Sequence, residues 1–283
     1  MIRLAECTSR RAARLARNDA SVVLLPVGAI EQHGPHLPLF VDWLGAEELA
    51  RRLAPHLRRA GFLPVLAPSL PYGVSPLAAD WSGTISLTEK TFRRVVVEIL
   101  RALANHGFGR FVLVNYQADP GQLRALASVK TDLERRGTLQ VLFAGFAPGS
   151  SGRLMFHPKV KALLRSPRPE FEWHSGELET SLVLSIRPEL VSRALTRRLP
   201  PEWVDFRRAM RRGARTFRQM NPDGRGYFGW PAAARAKTGR AAMALRARLM
   251  AGKLVPALRA WRPVPSETPP RRPSSPRASS SPP

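Results

Sequence analysis

Apolar residues recur along the chain in two alternating patterns. Short runs rich in valine, leucine and phenylalanine, typical of buried strands, are separated by longer segments with apolar residues at helical spacing. The runs lie at Val22–Val27, Phe62–Ala67, Phe111–Val114 and Leu139–Phe143. The helical segments lie at Ala46–Leu57, Lys90–Asn105 and Gly121–Arg135. This alternation predicts an α/β fold, in which a mainly parallel sheet has helices on both faces.

Two segments do not fit the alternation. Residues 68–92, "PSLPYGVSPLAADWSGTISLTEKTF", are too long and too rich in Gly, Pro and aromatic residues for a simple connection, so we interpret them as a candidate lid. Residues 263–283 are rich in Pro, Ser and Arg and cannot bury enough apolar surface to offset the entropy of ordering. The sequence therefore predicts one domain over residues 1–262 and a disordered tail over residues 263–283.

The chain is strongly basic, with 45 Lys and Arg against 21 Asp and Glu and a formal net charge of +24. Such a charge would suit nucleic acid or an anionic membrane if it formed one patch. The arginines instead recur as scattered adjacent pairs, such as Arg51 with Arg52 and Arg93 with Arg94. Because adjacent residues do not share a helical face, we favour a solvated basic surface and expect no nucleic-acid partner.

The apolar runs, the N-terminal segment and the cysteine content indicate the cellular compartment. No apolar run approaches the eighteen or so residues that span a membrane. The N-terminal segment lacks the continuous apolar core of a secretory signal, and the single cysteine, Cys7, cannot form an internal disulfide. We therefore expect a cytoplasmic protein that does not enter membranes.

Potential metal ligands cluster after the first apolar run, in "GAIEQHGPHLPLFVD" at residues 28–42. If the chain stays extended there, Glu31 and His33 point to the same side, and Asp42 arrives just before a helix at the carboxyl edge of the sheet. Each residue also has a structural alternative. Asp42 could cap the helix, and His33 or His36 could be hydrogen-bonded buried histidines. Together, Glu31, His33 and Asp42 favour a metal site.

Several motifs together resemble the creatininase family of metal-dependent amidohydrolases. They are "LLPVGAIEQHGPHLPLFVD", "YGVSP" with "GTISL", "FVLVN" followed by a polar turn, and "HSGELETSLVLSIRPELV" at His174–Val191. Their order and spacing extend to about Leu258. The resemblance implies a three-layer α/β/α sandwich that forms a homo-oligomer. It also implies a small-molecule amide as substrate, hydrolysed by water that two divalent metal ions activate.

The resemblance further implies roles for individual residues. Glu31 and His33 would bind different ions and Asp42 would bridge them, while Glu177 in "HSGE" matches a late acidic position that completes the site. His174, or a nearby carboxylate such as Glu177, would carry the proton to the leaving nitrogen. His174 and Glu177 are therefore the predicted catalytic residues.

The chain also departs from the family pattern. Where the family motif normally reads Asn-Gly-His, this chain reads Asn-Tyr-Gln and ends at Gln117. Gln117 would be a neutral oxygen ligand, poorer than imidazole for Zn²⁺ but acceptable to Mn²⁺ or Mg²⁺. Asp119, where creatininase carries a metal-binding glutamate, would be either a compensating ligand or a turn residue before Pro120. In the candidate lid, Ala78 replaces a family histidine.

Two functions remain open at the level of the sequence. In the first, the chain is a divergent amidohydrolase that binds one or two divalent ions (Mn²⁺, Zn²⁺ or Mg²⁺) and cleaves a non-peptide C–N bond in a cyclic amide or formamide. In the second, the changes at Gln117 and Ala78 have ended catalysis, and the fold serves as a binding or assembly subunit. We favour the first, because the ligands of the first motif and Glu177 are present.

Overall fold

A single parallel sheet organises the part of the chain that the computed structural model describes, residues 1–135, 139–150, 152–222 and 224–261. Its strands are β1 (Ile2–Arg3), β2 (Ser21–Val27), β3 (Leu63–Leu66), β4 (Phe111–Asn115) and β5 (Val141–Gly145). They lie in the order β1-β3-β2-β4-β5, and every neighbouring pair is parallel. The predicted α/β fold is confirmed. The edge strand β1 was not predicted, because two residues leave no periodic pattern.

Helices connect and cover these strands. They are α1 (Ser9–Ala16), α2 (Val41–Arg59), α3 (Glu89–Asn105), α4 (Pro120–Arg135), α5 (Pro158–Lys161), α6 (Glu177–Ile186), α7 (Arg193–Thr196), α8 (Phe206–Arg211), α9 (Phe217–Met220) and α10 (Ala236–Ala260). The three helical segments predicted from periodicity correspond to α2, α3 and α4. The structure starts α2 earlier than predicted, at Val41, which places Asp42 within its first turn.

The sheet lies between two helical layers. On one face, Val22 and Leu24 of β2 belong to a hydrophobic cluster that includes buried residues of α2, α6 and α10. On the other face, Val23 and Leu25 belong to a second cluster with residues of α1, α3 and α4. All residues of β2 and β4 are buried, as expected for parallel strands covered on both sides. The predicted three-layer α/β/α sandwich is therefore confirmed.

The strand order changes direction at the centre of the sheet. From β2 the chain passes to β3 on one side, and β4 then pairs with the other side of β2. Ligands of α/β folds bind in the crevice at the carboxyl ends of strands where the order reverses in this way. The loop after β2 carries Glu31 and His33, and the loop after β4 carries Gln117 and Asp119. The topology thus brings the two predicted ligand segments to the same crevice.

The candidate lid, residues 68–92, is tied to both of these loops. Leu77 donates its backbone N–H to Asp119 Oδ2 at 3.2 Å, and Ile85 donates its own to the carbonyl oxygen of Ile30 at 2.9 Å. Ser75 is fully buried beside Gln117. The segment therefore forms one wall of the crevice.

Two expectations concern the chain beyond the sandwich. The disordered tail predicted for residues 263–283 lies outside the described residues. No helix in the described ranges is both long enough and apolar enough to cross a bilayer.

Candidate metal centre

His33, in the loop after β2, has one ring nitrogen bound and the other free. Its Nδ1 lies 3.0 Å from the carbonyl oxygen of Glu31. A carbonyl can only accept, so Nδ1 carries the proton and Nε2 the lone pair. The side chain is fully buried, and Nε2 has no hydrogen-bond partner in the described chain. A purely structural role would explain the hydrogen bond at Nδ1 but not the unpaired Nε2. A metal-binding histidine donates a hydrogen bond from one ring nitrogen and coordinates the ion with the other.

Two carboxylates face the free nitrogen of His33. Asp42 Oδ1 lies 3.8 Å from Nε2, and Glu179 Oε2 lies 3.7 Å from it, both too far for hydrogen bonds. Asp42 is in the first turn of α2 and Glu179 in the first turn of α6. Asp42 does not cap its helix, because the cap position is Phe40, and its Oδ2 has no partner among the described residues. Its carboxylate is therefore available to a metal ion.

A second group of possible ligands shares His33. Glu31 Oε1 lies 3.8 Å from Nδ1 of His174, and Glu31, His33 and His174 offer ligand atoms within 4.8 Å of one another. Nε2 of His174 lies 3.1 Å from the carbonyl oxygen of Gln32 and 3.2 Å from the side-chain NH₂ group of Gln32. In the tautomer that donates to the carbonyl, Nδ1 carries the lone pair. The His174 ring packs between His33 and Phe217, with centroid distances of 4.6 and 4.4 Å.

Burial perturbs every ionisable group of this cluster. Desolvation raises the pKa of Glu31 to about 8 and that of Glu179 to about 7. It also raises the pKa of Asp42 well above its usual value, and the charges of Glu31 and Glu179 add to the effect. The same burial lowers the pKa of His33 to about 4 and that of His174 well below its usual value. The imidazoles are thus neutral, and the clustered carboxylates need a cation to ionise.

This set of residues fits a divalent metal ion. Metal bonds to histidine nitrogen and carboxylate oxygen are about 2.0–2.2 Å in zinc sites, so two ligands of one ion lie within about 4.4 Å of each other. The separations of 3.7 and 3.8 Å around His33 Nε2 meet this condition. One imidazole with carboxylates suits Mn²⁺ and Zn²⁺.

Glu177, predicted as both ligand and catalytic residue, does not join this cluster. Its carboxylate accepts the backbone N–H groups of Arg165 and Ser166 at 2.7–2.9 Å, and it belongs to neither group of possible ligands among the described residues. Two positions along a helix differ by about 200° in direction, so Glu177 and Glu179 point to opposite sides of α6. We therefore replace Glu177 by Glu179 in the proposed set.

Gln117 reaches the cluster as a hydrogen-bond donor. Its side-chain oxygen accepts the backbone N–H of Asp119 at 3.1 Å, which fixes the orientation of the amide. Its NH₂ group then donates to Glu31 Oε2 and, at 2.9 Å, to the hydroxyl of Ser75. The amide thus directs hydrogens, not its oxygen, toward Glu31, and the geometry does not support Gln117 as a ligand.

Asp119 lies at the edge of the same crevice. Its two oxygens accept the backbone N–H groups of Gly121 (2.7 Å) and Leu77 (3.2 Å). These bonds correspond to the turn role considered for Asp119 and place it between α4 and the candidate lid. Burial raises the pKa of Asp119 to about 6.

A cavity of about 860 Å³ opens beside the second group. Glu31, Gln117, Asp119 and His174 contribute to its lining, together with aromatic side chains that include Trp173 and Phe217. A cavity of this size and composition is typical of a ligand site. Its position brings a ligand next to Glu31 and His174.

Comparison with known proteins identifies the family. The family model for creatininase, described as creatinine amidohydrolase, matches residues 5–254. The chain belongs to the creatininase family. The resemblance drawn from the sequence motifs is thereby confirmed over nearly the whole chain.

Relatives within the creatininase family include two kinds of enzyme. Creatinine amidohydrolase of Pseudomonas putida is 34% identical over 191 residues, 63% of this chain and 69% of that protein. Mycofactocin precursor peptide peptidase of Mycobacterium ulcerans (strain Agy99) is 32% identical over 176 residues, 60% of each protein. A solved structure described as "Creatininase Mn" superimposes with a TM-score of 0.69 and 25% identity, over 91% of this chain and 98% of that one.

Three residues of this creatininase-family site were missed by the sequence analysis. Glu179 lies within the motif that supplied Glu177, but choosing between them requires the phase of α6. Gln32 orients His174 through its carbonyl oxygen and donates its side-chain NH₂ to the carbonyl of Gly226 at 2.8 Å. Glu172 accepts the N-terminal N–H of α6 and that of Trp230. Neither of the last two has a sequence signal, since both act through folded backbone groups.

Proposed function

We propose that this chain is a metal-dependent hydrolase of amide C–N bonds, with an ion held by His33, Asp42 and Glu179. The observation that carries the proposal is the free, buried Nε2 of His33, which faces carboxylate oxygens at 3.7 and 3.8 Å. Mn²⁺ and Zn²⁺ are the expected ions from the chemistry of the ligands. The described similarity to a Mn creatininase supports this choice.

We further propose that the site holds one tightly bound ion. The two groups of possible ligands share His33, and Nε2 is its one free nitrogen, so both groups cannot use it at once. Without His33 the second group retains Glu31 and His174 only. Gln117 donates to Oε2 of Glu31, so Oε1, which lies 3.8 Å from Nδ1 of His174, is the carboxylate oxygen left to this group. The group His33–Asp42–Glu179 keeps two carboxylates and is therefore the favoured position.

A bound divalent ion supplies polarisation of the amide carbonyl and a lowered pKa for water. The chain itself supplies the proton transfers. His174 is neutral, and its Nδ1 lone pair borders the cavity near Glu31, so it accepts a proton from the attacking water. As the new C–O bond forms and the C–N bond breaks, His174 returns the proton to the leaving nitrogen. The carbonyl of Gln32 holds the ring orientation throughout.

We propose a wider substrate class than the one expected from the sequence. The related proteins include a creatinine amidohydrolase and peptidases of a mycofactocin precursor, so both small cyclic amides and peptide amides are substrates of relatives. We therefore propose amide hydrolysis without restriction to non-peptide bonds. A small molecule or the end of a peptide would fit a cavity of about 860 Å³.

The test is a panel of cyclic amides, formamides and short peptides, assayed with and without Mn²⁺. Turnover should require the ion and should fall at least a hundredfold in Asp42→Asn, because the ligand charge is lost while the shape is kept. Lys130→Gln, a change on the exposed face of α4, serves as the matched surface control. Turnover that survives both chelation and Asp42→Asn would contradict the metal mechanism.

A binding or assembly subunit without catalysis is the second candidate. The observation that favours it is the orientation of Gln117, which occupies one oxygen of Glu31. This candidate predicts no turnover of the panel and no metal in the purified protein by elemental analysis. One equivalent of metal together with turnover would exclude it.

A further inference from the structure

The rim of the cavity beside His174 is rich in cations. Arg153, Lys161 and Arg207 all contribute to its lining. Arg153 and Lys161 come from the segment that follows β5, and Arg207 comes from α8. None of the three forms an ion pair with a carboxylate in the ranges that the structure describes. Unpaired cations around one cavity attract an anionic ligand.

Four of the five acidic side chains that line the same cavity accept hydrogen bonds. Glu172 accepts the backbone N–H groups of Glu177 and Trp230, and Asp205 accepts that of Arg208. Glu31 accepts a hydrogen bond from Gln117, and Asp119 accepts the backbone N–H groups of Gly121 and Leu77. The exposed Glu170 is the one lining carboxylate with no hydrogen bond among the described residues. Glu31, Asp119 and Glu172 are buried at the floor, so the exposed and half-buried part of the lining holds three cations against two acids, Glu170 and Asp205, and has a formal charge of +1.

The walls between rim and floor are apolar and aromatic. Trp173 stacks on Phe228 with a centroid distance of 4.2 Å and also packs against Phe217, next to His174. Phe146 and Phe156 line the same cavity. Such walls contribute affinity by covering an apolar or aromatic group of the ligand. The volume of about 860 Å³ lies near the upper end of ordinary ligand pockets and exceeds what one small ring would fill.

We propose that the substrate is an amide with an apolar or aromatic side group and a free carboxylate, which the cations of the rim bind while the amide lies at Glu31 and His174. This inference rests on the proposed function, because it names the substrate class of that site. An N-acylated amino acid and the carboxyl end of a peptide share this chemistry. Lys161 and Arg207 would determine specificity by pairing with the carboxylate.

The test compares N-acetyl-L-phenylalanine with its neutral carboxamide, which has the same size. Equilibrium dialysis with chromatographic analysis measures bound ligand and hydrolysis separately. The acid should bind the Mn²⁺-loaded protein about tenfold or more tightly than the carboxamide, as expected for one charge-assisted contact. Acetyl-alanyl-phenylalanine distinguishes the two sources, since tighter binding of this longer acid assigns a peptide and equal binding assigns an N-acyl amino acid.

Matched variants show which groups hold the carboxylate. Lys161→Gln and Arg207→Gln should each reduce the preference for the acid severalfold. Their neighbours on the same helices, Lys159→Gln and Arg208→Gln, should leave it unchanged, because Lys159 and Arg208 do not line this cavity. Lys161→Arg should retain the preference, because the positive charge is kept.

Three results would overturn the inference. They are equal binding of the acid and the carboxamide, binding of neither, and a preference that survives Lys161→Gln and Arg207→Gln but disappears on chelation. The last result would mean that the metal ion holds the carboxylate. Metal-dependent turnover of neutral cyclic amides alongside any of these results would leave the proposed hydrolase function standing. Failure of the inference is therefore distinguishable from failure of the function.

Discussion

At the scale of residues, the metal proposal depends on side chains whose hydrogen bonds leave one atom unused. His33 is bound at Nδ1 and free at Nε2, and Asp42 has no partner at Oδ2 in the described part of the chain. Buried polar atoms are nearly always satisfied in folded proteins, so two unsatisfied atoms at one point indicate a missing ligand. Gln117 and Glu177 have partners at every side-chain polar atom. Glu179 accepts one N–H group, that of Ser175 at 2.6 Å, on the oxygen that faces His33, and it is retained because that oxygen lies 3.7 Å from Nε2.

Glu177 and Glu179 provide a paired test of this assignment. Glu179→Gln should lose most of the stabilisation by Mn²⁺, because a ligand charge is removed. Glu177→Gln should keep that stabilisation but lower the free energy of unfolding by about 1–2 kcal/mol, since an amide offers one acceptor oxygen for two backbone donors. Thermal unfolding with and without Mn²⁺ measures both effects. A Mn²⁺ response lost in Glu177→Gln and kept in Glu179→Gln would contradict the assignment.

Gln117→His tests the number of ions. The substitution removes the amide that donates to Glu31 and adds an imidazole beside Glu31 and His174. We expect elemental analysis to find about one Zn²⁺ per chain in the original protein and a value approaching two in the variant. Equal zinc content in the two proteins would show that residue 117 does not control the second position.

Much of this residue-level picture was accessible from the sequence, and the reason is local geometry. Glu31, His33 and Asp42 lie close together in the chain, so their convergence required only a strand end and a helix start. The choice of Glu179 over Glu177 required the rotational phase of α6, which two acidic residues two positions apart do not reveal. The orientation of Gln117 required the position of the Asp119 backbone N–H, a feature of the folded loop.

At the scale of elements, both carboxylates of the proposed metal site lie in the first turns of helices. Asp42 lies in the first turn of α2 and Glu179 in the first turn of α6, so the relative position of these helices sets the distance of each to His33. α6 packs closely on α10, where Gly239 lies against the carbonyl of Ser181. The pairing of β2 with β4 positions the two loops that follow these strands, whereas the packing of α6 on α10 positions the carboxylate of Glu179.

Alanine substitutions on α10 test this dependence. In Gly239→Ala, the new Cβ would overlap the Ser181 carbonyl, so α6 must shift; stability should fall by about 1–3 kcal/mol and Mn²⁺ binding should weaken. Gly252→Ala on the same helix has open space around the new Cβ and should stabilise the protein by about 0.5–1 kcal/mol. Urea denaturation and Mn²⁺ titration of both variants measure these effects. Equal stability of the two variants would refute the close packing.

The elements were predicted well where burial is continuous. The four apolar runs correspond to β2, β3, β4 and β5 with small changes at their ends, because a parallel strand covered on both faces leaves a plain apolar signature. The short helices after β5 were not predicted. Helices of four to six residues, such as α5 and α8, are too short for a periodic pattern. Two of the three rim cations, Lys161 and Arg207, lie on α5 and α8, so the cavity could not be predicted from the periodic pattern.

At the scale of the whole molecule, the basic surface includes many arginines in local ion pairs. Arg51 and Arg52 both bind Glu48, Arg93 binds Asp132, and Arg94 binds Glu98. Pairs of this kind contribute little stability each. They support the interpretation of the adjacent arginines as a solvated surface. Assembly as a homo-oligomer remains a prediction, which sedimentation analysis would test.

The stability of the whole molecule should depend on pH through the buried carboxylates. In the metal-free protein, the folded pKa values of Glu31 and Glu179 are about 8 and about 7, against ordinary values of 4.5. At pH 6.5–8 the folded state therefore binds more protons than the unfolded state, and stability falls as the pH rises. The buried histidines act in the opposite direction, since His33 has a folded pKa of about 4, and their contribution fades as the pH rises through their ordinary value of 6.5.

We therefore expect the thermal midpoint of the chelator-treated protein to fall by a few degrees between pH 6.5 and pH 8, a loss of about 1–2 kcal/mol. Mn²⁺ should abolish this fall, because the ion replaces the protons on the carboxylates and binds more tightly as they ionise. Asp42→Asn should flatten the metal-free profile, since it removes one of the mutually repelling charges. Thermal unfolding at fixed ionic strength measures all three. A metal-free midpoint that rises over this interval would mean that the carboxylates are not buried without a counter-charge, and the electrostatic argument for a cation at His33 would fail.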